Sequence, residues 1–548
     1  MISKKFIKNS RKYFVFFSFL IIGLLIYKDY GFNIDEKFHR SNGFYWLKYL
    51  SNYFNLDYLQ IVSEEKLNSI KGFTLSDINY YNKYGIIFDV PAALMEVILK
   101  IDEPLYFYQL RHILVFLYFF IGLIFFYKIL LNRFKNETIA LLGVILLFIT
   151  PRIFGDSFQN TKDIIFLTFI IISTYFFFEA IEKENYKNLI LFSLFSAIST
   201  SVRMFGVFLP FSFLLMQFIL IRKKNYKKII FNSSLFIITF FLFLILIWPL
   251  LWENTFENFK SYFELLSSYG SGKVFFLGKY YNSDLVPYTY LPIWIVISTP
   301  VLHLILFSYG FFILSKRLYG RLINLKINSS VNDFWRGKNE SKDFSMLTSF
   351  ILTLCGLIFF NLKFYNSWRI GYFLYFFIIY FAVFALYITL AKKRFNLRIK
   401  ILFKIFLIIF FLLTIYRIFI YHPYQSYYFN ILVPNSIKNN VEVDYTGLSA
   451  IHFLNKMIEE NQSKKLIKIG VASWYPIWRM LELVNKKGDL KIEIVENRQI
   501  SNADFIYTNK ISDVDKRFNK KYDIPSNFKK IKEFKIDGAI IYEAYQRN

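Results

Sequence analysis

Apolar, uncharged stretches of membrane-spanning length recur along most of this chain, separated by short clusters rich in lysine and arginine. A helix needs about 20 apolar residues to cross the hydrocarbon core, with long basic side chains reaching back to the interface at its ends. On that measure the pattern predicts eleven spans, centred on residues 13–27, 108–127, 138–151, 164–178, 188–202, 204–221, 229–252, 290–314, 346–362, 370–391 and 401–420. Basic residues in short loops stay on the cytoplasmic side. The amino terminus and the loops at 128–136, 180–187, 222–228, 316–343 and 392–400 carry 5, 3, 2, 5, 7 and 5 of them, whereas the short opposing loops at 152–163, 253–284 and 363–369 carry 2, 3 and 2. The first long loop is therefore expected outside, and an odd span count places the last 128 residues outside with it.

Two regions break the spanning pattern. Residues 28–106 form a long outer loop in which Ile86, Ile87, Val90, Ala93, Leu94, Val97 and Ile98 recur at helical spacing, with Asp89, Glu96 and Lys100 on other faces. That is the pattern of a helix lying in the interface plane, and residues 37–50 read the same way. A further amphipathic segment in 253–284 (Phe256, Phe259, Tyr262, Phe263, Leu266) is expected to help roof a cavity at the outer leaflet. After residue 421 the apolar runs shorten. Strands are predicted over 466–472, 491–495, 504–508 and 538–542, and helices over 449–460 and 475–484. The expected architecture is a polytopic α-helical membrane domain over residues 1–420, with interfacial helices in its first outer loop, and a small extracytoplasmic α/β domain over 421–548.

Composition agrees: 55% hydrophobic and 22% aromatic residues exclude an ordinary soluble enzyme. The net charge of +27 resides largely in the loop clusters that set orientation, so it does not argue for nucleic-acid binding. The single cysteine, Cys355, leaves neither a disulfide nor a thiolate metal site. No small-residue cleavage site follows the first span, which is expected to remain as an anchor.

Ionisable residues at the outer ends of spans carry the chemical information, since each costs a few kcal/mol near hydrocarbon unless paired or wet. They are Asp35, Glu36, Arg111, His112, Arg152, Asp156, Lys162, Asp163, Arg203, Lys363 and Arg369. Each has a plainer reading beside the functional one. Asp35 and Glu36 suit a solvated loop start or a helix cap at the beginning of the 37–50 segment, Asp163 suits a helix amino terminus, and Arg369 suits an interfacial anchor beside aromatic residues. Arg203 is harder to explain structurally, because it interrupts more than 30 apolar residues. Asp35, Glu36 and His39 leave a divalent metal open, although His39 also reads as a polar loop residue.

The order of motifs resembles the C-type superfamily of membrane glycosyltransferases, most closely bacterial members related to protein O-mannosyltransferases and the lipid A aminoarabinose transferase. The carrying stretches are Asn33-Ile34-Asp35-Glu36, Thr150-Pro151-Arg152, Asn160-Thr161-Lys162-Asp163, Ser201-Val202-Arg203, Trp248-Pro249 and His422-Pro423-Tyr424-Gln425. The resemblance implies transfer of a sugar from a polyprenyl-phosphate donor to a protein, lipid or glycan acceptor on the outer side of an envelope membrane, in bacteria the inner membrane. By position it implies Asp35 as general base and Asp163 as second acid, with Glu36 supporting. It places Arg203, Arg369, Lys162 and Arg152 toward the donor phosphate. One departure stands out: an acid and an Arg-His pair expected near the tenth span are replaced by Asn366-Ser367-Trp368-Arg369-Ile370.

The residue types fit that chemistry independently. A hydroxyl becomes a competent nucleophile when a carboxylate takes its proton, and arginine forks stabilise a departing phosphate. One base and a good leaving group imply a single displacement with inversion. A transporter or flippase for a lipid-linked or anionic solute would also use charge near the membrane. A non-catalytic scaffold is the third reading.

Overall fold

The computed structural model describes residues 4–70, 83–220, 226–268, 272–323, 335–359, 364, 367–392, 395–481, 483–484 and 491–548. Lys363 and Asn366 lie outside the described residues. The amino-terminal half contains α1 (Lys4–Ile26), α2 (Ile34–Tyr53), α3 (Asp57–Ser69), α4 (Asp89–Ile98) and α5 (Pro104–Phe134). There follow α6 (Glu137–Phe148), α7 (Pro151–Gln159), α8 (Asp163–Lys183), α9 (Tyr186–Val202), α10 (Phe208–Leu220) and α11 (Tyr226–Ile247). Next come α12 (Thr255–Ser268), a hairpin of β1 (Lys273–Phe276) and β2 (Lys279–Asn282), α13 (Tyr290–Ser298), α14 (Val301–Ile323) and α15 (Gly337–Phe359). The helical part closes with α16 (Leu374–Leu386), which continues through a π-helical turn to Ala391, and α17 (Leu397–Tyr421).

Seven helices among the described residues are long and apolar enough to cross a membrane, α5, α8, α11, α14, α15, α16 with its extension, and α17, or eight if the bent pair α6–α7 is one span. This measure does not reach the expected eleven. The reasons are local. The 17-residue α9 ends where Arg203 adopts an extended backbone (φ −146°, ψ 132°), and the short 3₁₀ turn that follows divides it from α10. Pro151 cannot continue the hydrogen bonding of α6, and the chain bends by 66° into α7. The span expected over 290–314 is likewise divided, with Pro300 between α13 and α14.

At the centre lies α16, whose thirteen residues are all buried. It is apolar all round because other helices surround it. Its closest partner is α14, while α8 packs on α5 and α9. At the end of the bundle where α5 finishes, Arg133 pairs with buried Asp343 of α15, which also accepts from Tyr380 Oη of α16 at 2.8 Å.

In α4, Ala93 and Val97 of the apolar stripe are buried against Phe44 and Leu67 of α2 and α3, while Ile98 is exposed. Two acids of α4 also face inward: Glu96 accepts from Arg40 Nη2 of α2 at 2.5 Å and meets Arg111 of α5 at 3.4 Å, and Asp89 accepts from Asn42 Nδ2 at 2.7 Å. In α12, Tyr262 is buried against Trp248 while Phe256 is 80% exposed. The side chains of Phe263 and Leu266 lie outside the described residues.

Beyond α17, α18 (Ser449–Glu460) precedes a five-stranded mixed sheet of β3 (Leu466–Val471), β4 (Lys491–Ile494), β5 (Phe505–Thr508), β6 (Phe528–Ile536) and β7 (Ala539–Arg547), in the order β4-β3-β5-β7-β6. β3 runs parallel to β4 and β5, and β7 is antiparallel to β5 and β6. The pattern foretold α18 and four strands but missed β6, whose run of lysines masks its period. The helix expected over 475–484 is only a 3₁₀ turn at Ile477–Met480, after Pro476. The β6–β7 turn brings Asp537 to Arg417, Tyr421 and Lys438, joining the sheet to the last membrane helix. Phe32, Ile34, Phe107 and Tyr108 share one apolar cluster with Phe453, Met457 and Ile467, so the sheet also rests on the starts of α2 and α5.

Two outcomes follow. A β-carbon at Gly310 of α14 would lie 1.9 Å from the Phe381 carbonyl oxygen, whereas one at Gly320 meets nothing within 4 Å. Gly310→Ala is expected to cost about 1–3 kcal/mol through overpacking and to lower the thermal midpoint in detergent by several degrees, with Gly320→Ala at or above the parent value. The second concerns Asp444, buried beneath Tyr427, Ser449, Tyr507 and Asn509, where burial raises its carboxyl from 3.8 to about 6. A carboxyl raised on folding favours the native state below its unfolded value, and that contribution is lost as pH rises through the folded one. Glu442, raised by burial to about 7, adds to the same slope. Scanning fluorimetry from pH 4 to 8 should show a steeper fall in the parent than in Asp444→Asn; equal slopes would refute the assignment.

Candidate functional site

The site begins with a helix cap. Asn33 stands before α2, its Oδ1 accepts the Asp35 backbone N–H at 3.0 Å, and its own N–H donates to Glu36 Oε1 at 2.9 Å. This reciprocal capping box fixes the first turn, and with it the direction of Asp35. Glu36 is wholly buried and also meets His112 Nε2 of α5 at 3.1 Å. It serves the cap and the α2–α5 contact, and it does not line the cavity described below.

A second amino terminus meets the first. Asn160, in the turn between α7 and α8, accepts the Asp163 N–H at 2.8 Å and donates from Nδ2 to Asp163 Oδ2 at 3.0 Å. The two termini are tied together, because Asn33 Nδ2 donates to Gln159 Oε1 at 3.0 Å. Gln159 Nε2 in turn donates to Ser426 Oγ at 2.8 Å and to Asp156 Oδ1 at 3.1 Å. Two carboxylates at helix amino termini, where the backbone dipole favours negative charge, are thereby held in one frame.

The counter-charges arrive from remote parts of the chain. Arg203, at the break between α9 and α10, pairs with Asp163, and Arg369, in a 3₁₀ turn just before α16, pairs with Asp35. Arg203 tolerates its apolar neighbourhood because of this partner. The Arg369 turn is seated by Trp368, whose indole N–H donates to Ser298 Oγ at 2.8 Å, and by Tyr290 Oη, which donates to the Ser367 carbonyl at 3.0 Å. Lys162 places its ammonium 3.0 Å from the centre of the Tyr84 ring.

These groups share one cavity of about 220 Å³, lined also by Phe38, His39, Thr161, Trp474 and Arg479. Asp35 is the acid that opens to it, with 38% of its side chain accessible against 3% for Asp163. Burial pushes the Asp35 carboxyl up, but Arg369, with His39 and Lys162, holds it below the usual carboxylate range. Burial and then Arg203 hold the Lys162 ammonium well below its usual range. Arg203 and Arg369 line the same cavity as this lysine.

Of the residues singled out from sequence, Asp35, Lys162, Asp163, Arg203 and Arg369 converge here, and Glu36 and Arg152 do not. Arg152 is buried in the bundle, where its Nε donates to the Tyr428 carbonyl at 3.1 Å and its Nη1 to Ser367 Oγ at 3.3 Å. It supports the turn that presents Arg369. His39 turns to Asp89 at 3.1 Å, and among the described residues no three His, Cys, Asp or Glu side chains are grouped to hold a metal ion. Trp474, Arg479 and Tyr84 are cavity residues that the sequence reading missed. Nothing in their local patterns marks them, since they reach the cavity only through long-range packing.

No curated protein matches the chain. Residues 90–252, from α4 through α11, match the model of the family described as dolichyl-phosphate-mannose-protein mannosyltransferase. The matched stretch is under a third of the chain and holds Lys162, Asp163 and Arg203, while Asp35 and Arg369 lie outside it. The chain is thus a polytopic helical membrane protein whose residues 90–252 are similar to that family of membrane glycosyltransferases.

Proposed function

We propose that this protein transfers a sugar from a polyprenyl-phosphate-linked donor to an acceptor hydroxyl at the outer face of the membrane, with inversion at the anomeric carbon. One observation carries the reading: Asp35, paired with Arg369, and Asp163, paired with Arg203, meet Lys162 in a single cavity supplied by separate chain segments. The family match over residues 90–252 supports the reaction class.

In this reading the donor phosphate lies against Lys162 and Arg203, with Asp163 holding the Arg203 guanidinium in place. A phosphate there favours the charged form of Lys162, which burial otherwise opposes. The donor also competes with Asp35 for Arg369. Loosening that pair raises the basicity of the carboxylate at the moment it is needed.

The acceptor oxygen then attacks the anomeric carbon as the bond from that carbon to the phosphate oxygen breaks. Asp35 takes the acceptor proton, and the electron pair leaves with the polyprenyl phosphate. Lys162, Arg203 and Arg369 meet the charge that develops there, and preorganised cations of this kind are worth more in a water-poor cavity than in bulk solvent. No covalent glycosyl-enzyme is required, so Asp163 remains an orienting group.

Asp35→Asn is expected to lower transfer by roughly 10² to 10⁴-fold while expression and thermal midpoint stay near those of the parent. Parent-like turnover with a polyprenyl-phosphate sugar would remove Asp35 from the base role. Arg203→Ala should weaken donor binding by more than about tenfold, and Arg203→Lys by less, since lysine keeps the charge but not the fork. Donor affinity equal to the parent in a folded Arg203→Ala protein would overturn the phosphate assignment.

A further inference from the structure

The cavity has a side that the donor and base assignments leave unused. It is formed by the segment after β3, Ser473 to Met480, which belongs to the sheet beyond the last membrane helix. Trp474 and Arg479 of this segment line the same cavity as Asp35. Trp474 is 45% exposed and Trp478 is 38% exposed, and Lys37, two residues after Asp35, places its ammonium 5.4 Å from the Trp478 ring. A large indole face left open to a polar cavity, as at Trp474, needs an explanation, because burying it elsewhere would be favourable.

The segment is firmly seated. The Trp474 backbone N–H donates to the Ile511 carbonyl at 2.9 Å, and Tyr475 is buried against the turn at Gly447. That glycine has φ +75°, and a β-carbon on it would fall on the Tyr475 ring, 1.8 Å from a ring carbon. The open indoles are therefore presented by an ordered backbone.

The same segment carries unused polar groups. The hydroxyls of Ser473 and Tyr475, residues only 3% and 2% exposed, are buried with no hydrogen-bond partner among the described residues. Burial keeps the Tyr475 phenol well above its usual range, with Asp444, Glu36 and Asp35 adding to the effect, so it remains a donor at neutral pH.

We infer that the Ser473–Arg479 segment is the acceptor subsite and that the acceptor is an acidic saccharide, its ring stacked on Trp474 and its carboxylate or phosphate met by Arg479. A sugar ring offers an apolar C–H face to the Trp474 indole, and an acidic substituent on it suits the Arg479 guanidinium, which is the combination this segment presents to the cavity. A peptide hydroxyl has no comparable face. An anionic substituent also suits the charge of the cavity, where Lys162, Arg203, Arg369 and Arg479 outnumber Asp35 and Asp163. The name acceptor rests on the transferase reading, whereas saccharide binding at Trp474 does not.

The test uses the full-length protein in lipid nanodiscs on an array of neutral oligosaccharides, uronic-acid oligosaccharides and Ser/Thr-containing peptides. Retention on the acidic saccharides is expected, weakened at least tenfold by Trp474→Ala and largely kept by Trp474→Phe. Arg479→Gln should reduce binding of the acidic saccharides to the level of the neutral ones. The proposal is overturned if no saccharide is retained, if retention is the same in Trp474→Ala, or if peptides are retained instead and released by that substitution. Affinity for a polyprenyl-phosphate sugar, measured in parallel, separates the two ideas: saccharide binding without donor binding counts against the transferase reading alone.

Discussion

Charge held within an apolar bundle must be paired, and this requirement organises the protein more than any other. Desolvating an unpartnered carboxylate or guanidinium costs several kcal/mol, so each ionic group near the core recruits a partner, often from a distant part of the chain. Arg133 with Asp343 joins α5 to α15, Arg417 with Asp537 joins the last membrane helix to the sheet, and Arg40 and Arg111 enclose Glu96. The cavity pairs follow the same rule. Removing one member of such a pair leaves the other exposed to the full cost of burial, which is why these contacts lock the relative positions of the elements that carry them.

Within the cavity the rule acquires a chemical use. Asp163 is nearly closed off and behaves as a holder of Arg203, whereas Asp35 has an open side. The difference arises from packing around two similar helix starts. The capping box of Asn33 and Glu36 and the Asn160 turn orient the two carboxylates, and the Asn33–Gln159 contact sets their separation. Amides do this without adding charge to the cavity.

The part of the chain beyond the membrane helices is joined to the site on two sides. Asp537 anchors it at α17, its apolar cluster rests on α2 and α5, and the segment after β3 then reaches the cavity. This part of the cavity wall, like Asp35 and Arg369, comes from outside the stretch that matches a known family.

Much of this was determined by sequence alone, where the signal is local. Span-length apolar runs imply helices, and Arg203 within a long apolar stretch implies a partner. Patterns of this kind located helices and four strands, and five of the seven residues they singled out line one cavity. Tertiary structure decided what depends on contacts between remote segments. It divided the span expected over 290–314 at Pro300, turned Glu96 of α4 inward because Arg40 and Arg111 were there to meet it, and withdrew Glu36 and Arg152 from the cavity into supporting contacts. It also brought Trp474 and Arg479 to Asp35, across more than 400 residues of chain. Periodicity reports which face of an element is apolar; it carries no information about which charged or aromatic group, hundreds of residues away, will be there to complete a site.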